Sequence, residues 1–453
     1  MTALYYALGV VVFVLAILIS IGLHEFGHLI PAKRFGGRVT QYFIGFGPTL
    51  WSRQRGETEY GIKAIPLGGY VKIVGMLPPA PAEVDAPVGP DGRPITRMRD
   101  TSTGLFTQLV SDARAAEWEI VRPEDEDRLF YRMAWWKKVI VMAGGPTVNL
   151  LIAFFLFWGL FAFYGQQSVE VAEGPPVVDE VSACVIPYDA AAPERACTDA
   201  DPPSPAARAG LEPGDVITAF NGTPVTSWEQ LRELIRGNAD GSAVIDYERD
   251  GRPLSATTST TVELRPDPDS DATLREVGFL GVTPVTRVVT EYGGPLYTLR
   301  ELGGMTVDSI RSLVELPVKV VGVGKAILGL EERAVDSPVS IVGGSRFAGE
   351  TASAQDFPVG DKIASLVALI AGFNLFIGVL NFVPLLPLDG GHIASALWEA
   401  VRRGIARLRR RPDPGHVDAA RLLPIAYVVG VALLVMGVVL IVGDLVVPVS
   451  LQG

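Results

Sequence analysis

Four long apolar stretches constrain what this chain can fold into. They lie at about residues 4–30, 139–163, 363–383 and 422–446. A bilayer core of about 30 Å is crossed by a helix of about 20 apolar residues, so each stretch is long enough to span a membrane. The hydrophobic share of 48% in 453 residues is high for a soluble protein of this size. The sequence therefore predicts a polytopic α-helical membrane protein with about four transmembrane helices.

Two apolar segments have more than one structural interpretation. Residues 314–330 are apolar but are interrupted by Pro317, Lys319 and Lys325, which favours an amphipathic helix at the membrane surface or packed on the bundle. For the first apolar stretch, a signal peptide is the alternative to a transmembrane helix. This stretch has no basic residue before Lys33 and no convincing small-residue cleavage site, so we expect a transmembrane helix.

Basic residues are concentrated in two loops, and their positions predict the orientation of the helices. Five lysines and arginines lie between residues 33 and 55, and seven arginines lie between residues 402 and 421. Because short loops rich in Lys and Arg stay in the cytoplasm, we expect both loops on the cytoplasmic side. The N-terminus, the 165–360 region and the C-terminus are then expected outside.

The two cysteines, Cys184 and Cys197, both fall in the region that is expected outside. A disulfide persists in such an oxidising compartment, and one that closes so short a loop contributes about 3 kcal/mol of stability in the chain-entropy model. We therefore predict a structural disulfide between them. A reactive redox pair is the alternative interpretation.

The first apolar stretch ends in an H-E-x-x-H motif, His24-Glu25-Phe26-Gly27-His28. Residues i and i+4 share one face of a helix, so both imidazoles can bind one zinc ion. Glu25 then lies beside the metal, where it can accept a proton from a water molecule. Ionisable side chains inside a membrane span are costly and usually functional, which favours this interpretation over two histidines that merely end a helix.

A catalytic zinc site needs a third protein ligand. The second apolar stretch contains no Asp, Glu or His, whereas the third is followed by Asp389 and His392 in a proline-broken segment. Irregular backbone at membrane depth is tolerated where it is buried in protein or lines a cavity. Spacing alone leaves both residues open as the third ligand, and a plain helix N-cap is the alternative role for Asp389.

The chain resembles the site-2 protease family of intramembrane zinc metalloproteases. The resemblance rests on HEFGH near the N-terminus and NFVPLLPLDGGH near the C-terminus, and it extends over the whole chain through FGPTLW, IPLGGYVKIVGM and AGGPTVNL. It implies that His24, His28 and Asp389 bind one zinc ion and that Glu25 activates the zinc-bound water. Asn381 matches a family asparagine that is expected to position or polarise the scissile carbonyl.

The nearest subgroup of this family is the bacterial one that cleaves membrane-spanning anti-sigma factors. The resemblance therefore implies an intramembrane zinc metalloendopeptidase in a bacterial plasma membrane. Its substrates would be single-span proteins, such as an anti-sigma factor already trimmed by a first protease, and cleavage would release a cytoplasmic signal. At 1.5 Å per residue, His24 lies about 30 Å along the first helix, so cleavage is expected near the cytoplasmic face.

Residues 166–290 differ from the rest of the chain because they are polar, rich in Pro and Gly, and contain short β-like runs. Residues 204–222 resemble the strand-turn core of bacterial PDZ domains, and residues 228–236 resemble the helix of such a domain. The resemblance implies an extracytoplasmic PDZ (α+β) domain that either selects trimmed substrates or only excludes large ones. The candidate carboxylate-binding loop consists of Gly278, Phe279, Leu280 and Gly281.

Residues 37–76 are rich in Gly, aromatic and β-branched residues, which predicts short strands. The resemblance implies a cytoplasmic, membrane-associated β-sheet here, with an edge to which an extended substrate can add. A plain cytoplasmic hairpin is the alternative. Residues 78–124 are acidic and Pro-rich, which is typical of a disordered insertion or a loosely held helix.

These interpretations divide the chain into eight segments. They are transmembrane helix 1 with the H-E-x-x-H motif (1–30), the cytoplasmic β-hairpin region with the insertion (31–138), transmembrane helix 2 (139–165), the PDZ domain (166–290), an amphipathic segment (291–362), transmembrane helix 3 with the L-D-G-G motif (363–400), a basic cytoplasmic loop (401–421), and transmembrane helix 4 with the tail (422–453).

Other functions fit the sequence less well. A PDZ sensor on a membrane anchor would be free to lose any of the four candidate catalytic residues, yet all four are present. A transporter is disfavoured because the sequence has no internal repeat and only one pair of broken helices. The net charge of −11, with no basic stripe interleaved with aromatic residues, argues against nucleic-acid binding. We expect a membrane-spanning protein substrate and the lipid bilayer as the partners.

Overall fold

The computed structural model describes most of the chain, which divides into two compact units. The described residues are 2–79, 105–187, 196–198, 200–267, 270–355 and 357–449. One unit combines Met1–Tyr164 with Tyr292–Gly453, and the other is Gly165–Glu291.

The first unit is mainly helical and the second contains most of the strands. In chain order the elements are α1 (Thr2–Arg34), β1 (Val39–Arg55), β2 (Thr58–Ile73), α2 (Leu105–Trp118), α3 (Trp135–Phe163), β3 (Gln166–Val171), β4 (Val178–Val181), α4 (Pro205–Ala209), β5 (Val216–Phe220), β6 (Thr223–Pro224), α5 (Trp228–Gly237), β7 (Ser242–Arg249), β8 (Arg252–Ser259), β9 (Thr261–Asp267), β10 (Ser270–Phe279), β11 (Val282–Pro284), β12 (Thr286–Glu291), α6 (Pro295–Ile327), α7 (Ile341–Ser353), α8 (Val359–Asn381), α9 (Asp389–Leu408) and α10 (Leu423–Val446).

Four helices, α1, α3, α8 and α10, are long and apolar enough to cross a membrane, and the prediction of four such helices is confirmed. Their outward faces remain apolar. On α10, for example, Val428 and Leu434 are 63% and 67% exposed. A continuous apolar surface of this kind is costly in water and suits a hydrocarbon environment.

Two glycines allow α1 and α3 to pack closely. A Cβ atom on Gly27 would lie 2.4 Å from the carbonyl oxygen of Gly144, and one on Gly144 would lie 2.0 Å from that of Gly27. Small residues at such a crossing let two backbones approach within a distance that any side chain would prevent. At this crossing, the helical turn of α1 that carries the H-E-x-x-H motif packs directly against α3.

The strands predicted in residues 37–76 are present as the antiparallel pair β1 and β2. The two strands form four adjacent segments, here called lanes. Residues 41–44 of β1 pair with residues 59–62 of β2 on one side and with residues 69–72 on the other, and residues 51–54 of β1 pair with the remaining side of residues 59–62. Residues 69–72 therefore form an outer lane. Tyr42 fastens this hairpin to α1, since its hydroxyl donates a 2.7 Å hydrogen bond to the Gly22 carbonyl.

The predicted segment 363–400 consists of two helices rather than one. Helix α8 ends at Asn381, and α9 begins at Asp389 after a proline-containing turn. Two glycines let this turn fold onto the start of α9, since a Cβ on Gly390 would lie 2.1 Å from the Val383 carbonyl oxygen and one on Gly391 would lie 2.6 Å from the Leu386 nitrogen. The N-cap of α9 is Leu388, so Asp389 does not have the capping role considered as its alternative.

Three other segments differ from the sequence-based expectations. Helix α9 continues to Leu408, so the predicted basic loop 401–421 begins as helix, where Arg403 pairs with Glu399 one turn earlier. The amphipathic helix expected at 314–330 is the second half of the much longer α6. In the predicted insertion, residues 105–118 form α2, and residues 80–104 lie outside the described residues.

The Gly165–Glu291 unit has its own hydrophobic core. A four-stranded sheet of order β6-β5-β7-β8 is packed against α5, which buries Leu231 and Ile235 on its inner face. The buried Asp215 carboxylate receives the Arg249 guanidinium at 2.7 Å. The remaining strands form the antiparallel pairs β9–β10, β4–β11 and β3–β12. An α+β arrangement was expected for this region, and the unit combines strands with two short helices.

Candidate metal centre and active site

Three ligand atoms from two distant parts of the chain converge in the first unit. The Nε2 atoms of His24 and His28 lie 3.3 Å apart, and each lies 3.3 Å from Oδ2 of Asp389. The two imidazoles are one turn apart on α1, and the carboxylate comes from the first residue of α9. No other group of this kind is found in the part of the chain that the structure describes.

This donor set fits a zinc ion. Ligand atoms held at about 2.0–2.1 Å from a tetrahedral zinc ion lie about 3.3–3.4 Å from one another, which is the spacing of these three atoms. Two imidazoles and one carboxylate also form a ligand set that is typical of catalytic zinc sites, in which a fourth position stays open for water or substrate. The arrangement therefore suits a catalytic rather than a closed structural site.

A backbone carbonyl of α3 orients His28, and a glycine of the same helix leaves space for both imidazole rings. Nδ1 of His28 lies 2.8 Å from the carbonyl oxygen of Val141, so Nδ1 carries the proton and Nε2 keeps its lone pair for a metal. Gly145 supplies the space beside both rings. A Cβ on this residue would lie 2.3 Å from Nε2 of His28 and 2.7 Å from Nε2 of His24.

The three ligand atoms open onto a cavity of about 540 Å³. Glu25 and Asn381 line this cavity together with the outer lane of β2 at residues 68–71. Glu25 is half-buried, and a Cβ on Gly69 would lie 2.8 Å from its Cγ, so the hairpin lies directly against this side chain. One amide hydrogen of Asn381 is used within α8, because Nδ2 donates to the Ile377 carbonyl at 3.1 Å.

His392, the other candidate for the third ligand, lines the same cavity. It stands one turn after Asp389 on α9. The described cluster contains the carboxylate of Asp389 and not the imidazole of His392. The geometry thus brings one of the two alternatives to the histidines of α1.

Comparison with known proteins agrees with this geometry. Residues 12–412 match the model of Peptidase family M50. This chain is a member of Peptidase family M50. It is 33% identical to the zinc metalloprotease Rip1 of Mycobacterium tuberculosis strain H37Rv over 98% of both chains. It is 32% identical to the zinc metalloprotease Rip1 of Mycolicibacterium smegmatis over 98% of this chain and 99% of the relative.

Family membership confirms the predicted resemblance to site-2 proteases. The predicted enzyme class, a metalloprotease, and the predicted zinc cofactor are confirmed at the same level. The four membrane-length helices agree with a protease that acts on membrane proteins in a lipid bilayer.

Two asparagines of this M50 peptidase add unpaired carbonyl groups to the cavity. Asn149 of α3 and Asn374 of α8 are 3% and 0% exposed, and Oδ1 of each has no hydrogen-bond partner among the described residues. A buried acceptor without a partner costs about 1–3 kcal/mol, which indicates a use for it. Asn374 is not among the site residues predicted from the sequence, although an asparagine within an apolar span is a signal of function.

The other predicted site residues lie in the Gly165–Glu291 unit. Cys184 and Cys197 are joined by a disulfide. In the candidate carboxylate-binding loop, Leu280 belongs to the hydrophobic core, and its carbonyl accepts a hydrogen bond from the Ala206 nitrogen. Gly278 lies against the last turn of α5, where a Cβ would meet the Ile235 carbonyl oxygen at 2.1 Å.

Proposed function

We propose that this M50 peptidase is a zinc-dependent intramembrane endopeptidase that cleaves the transmembrane segment of single-span proteins. The observation that carries the proposal is the convergence of His24, His28 and Asp389 on a cavity that also contains Glu25. The cavity is built between helices that are long and apolar enough to span a membrane. Peptide hydrolysis there needs polar groups that are shielded from lipid, and the cavity provides them.

Each residue of the site has a chemical task in this proposal. His24, His28 and Asp389 would hold the zinc ion, which when bound would polarise the scissile carbonyl and make water more acidic. The carboxylate of Glu25 accepts a proton from the attacking water and later delivers it to the leaving amine. Asn381 has a second amide hydrogen beyond the one given to Ile377, and this hydrogen can be donated to the developing oxyanion.

The hairpin offers a way to present the substrate. A helical substrate hides its carbonyl groups in its own hydrogen bonds, so the scissile region has to be extended before attack. Among the residues that the structure describes, 69–72 of β2 pair with β1 on one side only, and residues 68–71 line the catalytic cavity. A free strand edge beside Glu25 can accept an unwound substrate as an additional antiparallel or parallel strand.

The proposed setting is a bacterial plasma membrane with the N-terminus and the Gly165–Glu291 unit outside. The distribution of Lys and Arg supports this orientation, and the disulfide between Cys184 and Cys197 suits an oxidising compartment. We assign the unit to the PDZ type and propose that it admits substrates already trimmed by a first protease. The proposed substrate class is the anti-sigma factor, whose cleavage would send a signal into the cytoplasm.

The decisive experiment changes Glu25 alone. The Glu25→Gln variant, reconstituted in liposomes with a single-span substrate, is expected to keep its zinc and to lose about 10²–10⁴-fold in cleavage rate, the usual contribution of a general base. Glu57→Gln is the matched control, because Glu57 is a carboxylate at the exposed end of the hairpin, where it pairs with Arg128. Cleavage that continues unchanged in a folded, zinc-loaded Glu25→Gln variant would exclude the proposed function.

The substrate class needs a separate test. An anti-sigma factor should be cut rapidly after removal of most of its outer domain and slowly when that domain is intact. The measurement is the cleavage rate of matched trimmed and intact substrates by the full chain in liposomes. Equal rates would contradict a role of the Gly165–Glu291 unit as a filter, while leaving the protease activity itself in place.

A further inference from the structure

A second cavity of the first unit lies outside the catalytic centre and is larger. Its volume is about 1200 Å³, and its walls come from α9, from the start of α10 and from the segment that precedes α3. Three arginines line it, Arg132, Arg402 and Arg421, together with the indole of Trp398 and the apolar side chain of Ile425. The site thus combines positive charge, an aromatic ring and an apolar wall.

The charge of this cavity is only partly neutralised by the protein. Arg402 donates to the Pro414 carbonyl at 3.1 Å, and no carboxylate in the described part of the chain pairs with it. Arg421 is 77% exposed and lies 3.4 Å from Asp418, whose carboxylate is closer to Arg114 at 2.5 Å. Arg402 therefore keeps its full positive charge, and Arg421 shares its carboxylate partner with Arg114, so both guanidinium groups can contact an anionic ligand.

The cavity lies at the level where a membrane interface is expected. Trp135 and Trp136 are exposed at the start of α3, and tryptophans in such positions mark the headgroup region. The buried pair of Lys138 and Glu399, 2.8 Å apart, fixes α9 at the level of this tryptophan pair. Trp398 is the neighbour of Glu399, so the cavity is at headgroup depth.

We propose that this cavity binds the headgroup of an anionic phospholipid. Arginine matches a phosphodiester because its planar guanidinium donates two parallel hydrogen bonds to phosphate oxygens. The acyl chains would leave the cavity past Ile425 along α10, whose outward side chains such as Val428 are exposed and apolar. Basic pockets between transmembrane helices at an interface are typical sites for such headgroups.

The lipid would contact the face of the turn before α9 that points away from the catalytic cavity. Leu385, Leu386 and Gly391 line the lipid cavity, whereas Pro387 and Asp389 of the same turn line the catalytic cavity. A ligand in the second cavity is therefore expected to stabilise this turn. Lipid binding at this cavity is independent of the proposed protease activity and can be tested without a substrate.

The test measures how many lipid molecules remain bound to the intact protein. The full chain is purified in detergent, delipidated, and mixed with phosphatidylglycerol or phosphatidylcholine before native mass spectrometry. We expect one phosphatidylglycerol to be retained and phosphatidylcholine to be lost. The Arg402→Gln/Arg421→Gln variant should bind phosphatidylglycerol about thirtyfold more weakly, since each of the two basic residues near a headgroup contributes roughly a fivefold change in affinity.

A matched variant separates the cavity from general surface charge. Arg407→Gln/Arg409→Gln removes the same charge from two exposed positions, one in the last turn of α9 and one directly after it, that do not line the cavity, and it should retain the lipid. If the double glutamine variant of the cavity does not fold, Arg402→Lys/Arg421→Lys keeps the charge and should still weaken binding. Thermal unfolding of each variant checks the fold.

Several results would overturn the proposal. The first is that the unmodified chain retains no lipid, or retains phosphatidylcholine and phosphatidylglycerol equally. The second is an equal loss of phosphatidylglycerol affinity in the cavity variant and the matched variant. The third is displacement of phosphatidylglycerol by an excess of inorganic phosphate. The last result would indicate a site for a free anion, and the others would show that the cavity does not select an anionic headgroup.

Discussion

At the scale of single residues, the metal centre depends on a residue that has no side chain. Gly145 faces both imidazoles, and an added Cβ would lie 2.3 Å from Nε2 of His28. We predict that Gly145→Ala lowers the zinc content of the purified protein and abolishes cleavage, because the methyl group occupies the space from which the ligand atoms reach the ion. The measurement is the number of zinc ions per chain by atomic emission spectroscopy.

The control for this prediction is Gly159→Ala. Gly159 is on the same helix, α3, and a Cβ there meets nothing within 4 Å. Alanine is favoured over glycine within a helix by about 1 kcal/mol, so the control should be at least as stable as the unmodified protein and fully loaded. A Gly145→Ala variant with normal zinc content would show that α3 does not shape the centre.

Asn374 gives a second prediction at this scale. Its buried Oδ1 has no described partner, and Nδ2 donates to the Ile370 carbonyl at 2.8 Å. We predict that Asn374→Leu lowers the cleavage rate about tenfold, the value of one hydrogen bond to the substrate, while leaving the thermal stability equal or higher because an unpaired buried acceptor is removed. Paired measurements of cleavage and of thermal unfolding check both parts.

The zinc content of Asn374→Leu should remain unchanged, which separates loss of a substrate contact from loss of the metal. Gly372→Ala, two residues earlier on α8, serves as the matched control because a Cβ there meets nothing within 4 Å. If Asn374→Leu cleaves at the normal rate, the unpaired carbonyl has no part in substrate binding.

At the scale of elements, the sequence predicts local geometry better than distant contacts. The spacing of His24 and His28 places both rings on one face of a helix, because helical periodicity alone decides this. Asp389 is different, since its meeting with the histidines depends on the turn at Gly390 and on the close crossing of Gly27 and Gly144. Glycines are common in membrane helices, so their presence does not identify the pair that touches.

The hairpin illustrates the same limit. Residue types predict strands in residues 37–76. They do not predict that residues 41–44 of β1 pair with one part of β2 on one side and with another part of β2 on the other side. That arrangement follows from register shifts along the pair, which are decided by packing against α1 and not by strand propensity. It is also the arrangement that leaves residues 69–72 as a free edge beside the cavity.

The free edge leads to a prediction in which the enzyme is not altered. Alternate backbone amides of a strand point to the same side, so an added strand uses every second N–H of the substrate. Two substrates are each N-methylated at every second residue, and the methylated positions of one are shifted by one residue relative to those of the other. One substrate should therefore be cleaved and the other should not. Cleavage is measured by mass spectrometry of the products in liposomes.

The offset pair contains its own control, because both substrates carry the same number of methyl groups. Equal cleavage of the two substrates would contradict strand addition at residues 69–72. The outcome does not depend on which of the two substrates is resistant.

At the scale of the whole molecule, one buried ion pair ties the end of the last helix to the wall of the catalytic cavity. Arg333, in the segment after α6, lies 2.7 Å from Asp444 of α10, and both side chains are almost fully buried. The other carboxylate oxygen of Asp444 receives hydrogen bonds from the backbone nitrogen and the hydroxyl of Ser340, each at 2.6 Å. Ile341, the first residue of α7, lines the catalytic cavity.

Removal of one member of this pair is expected to be more harmful than removal of both. Asp444→Asn leaves the Arg333 guanidinium buried without its counter-charge, which costs about 3–5 kcal/mol in comparable buried pairs. The double variant Arg333→Met/Asp444→Asn removes both charges, keeps an amide oxygen that can accept from Ser340, and should recover part of that loss. Unfolding free energies of the unmodified protein, Arg333→Met, Asp444→Asn and the double variant in detergent, combined as a double-mutant cycle, measure the coupling.

The position of Ser340 and Ile341 adds a functional consequence to this stability effect. Because the pair holds the start of α7, and α7 reaches the cavity through Ile341, Asp444→Asn should also release zinc faster, although Asp444 lies more than fifty residues beyond Asp389. In the double variant, zinc release should return toward the normal rate together with stability. A stable Asp444→Asn protein with normal zinc release would show that the end of α10 and the metal centre are energetically independent.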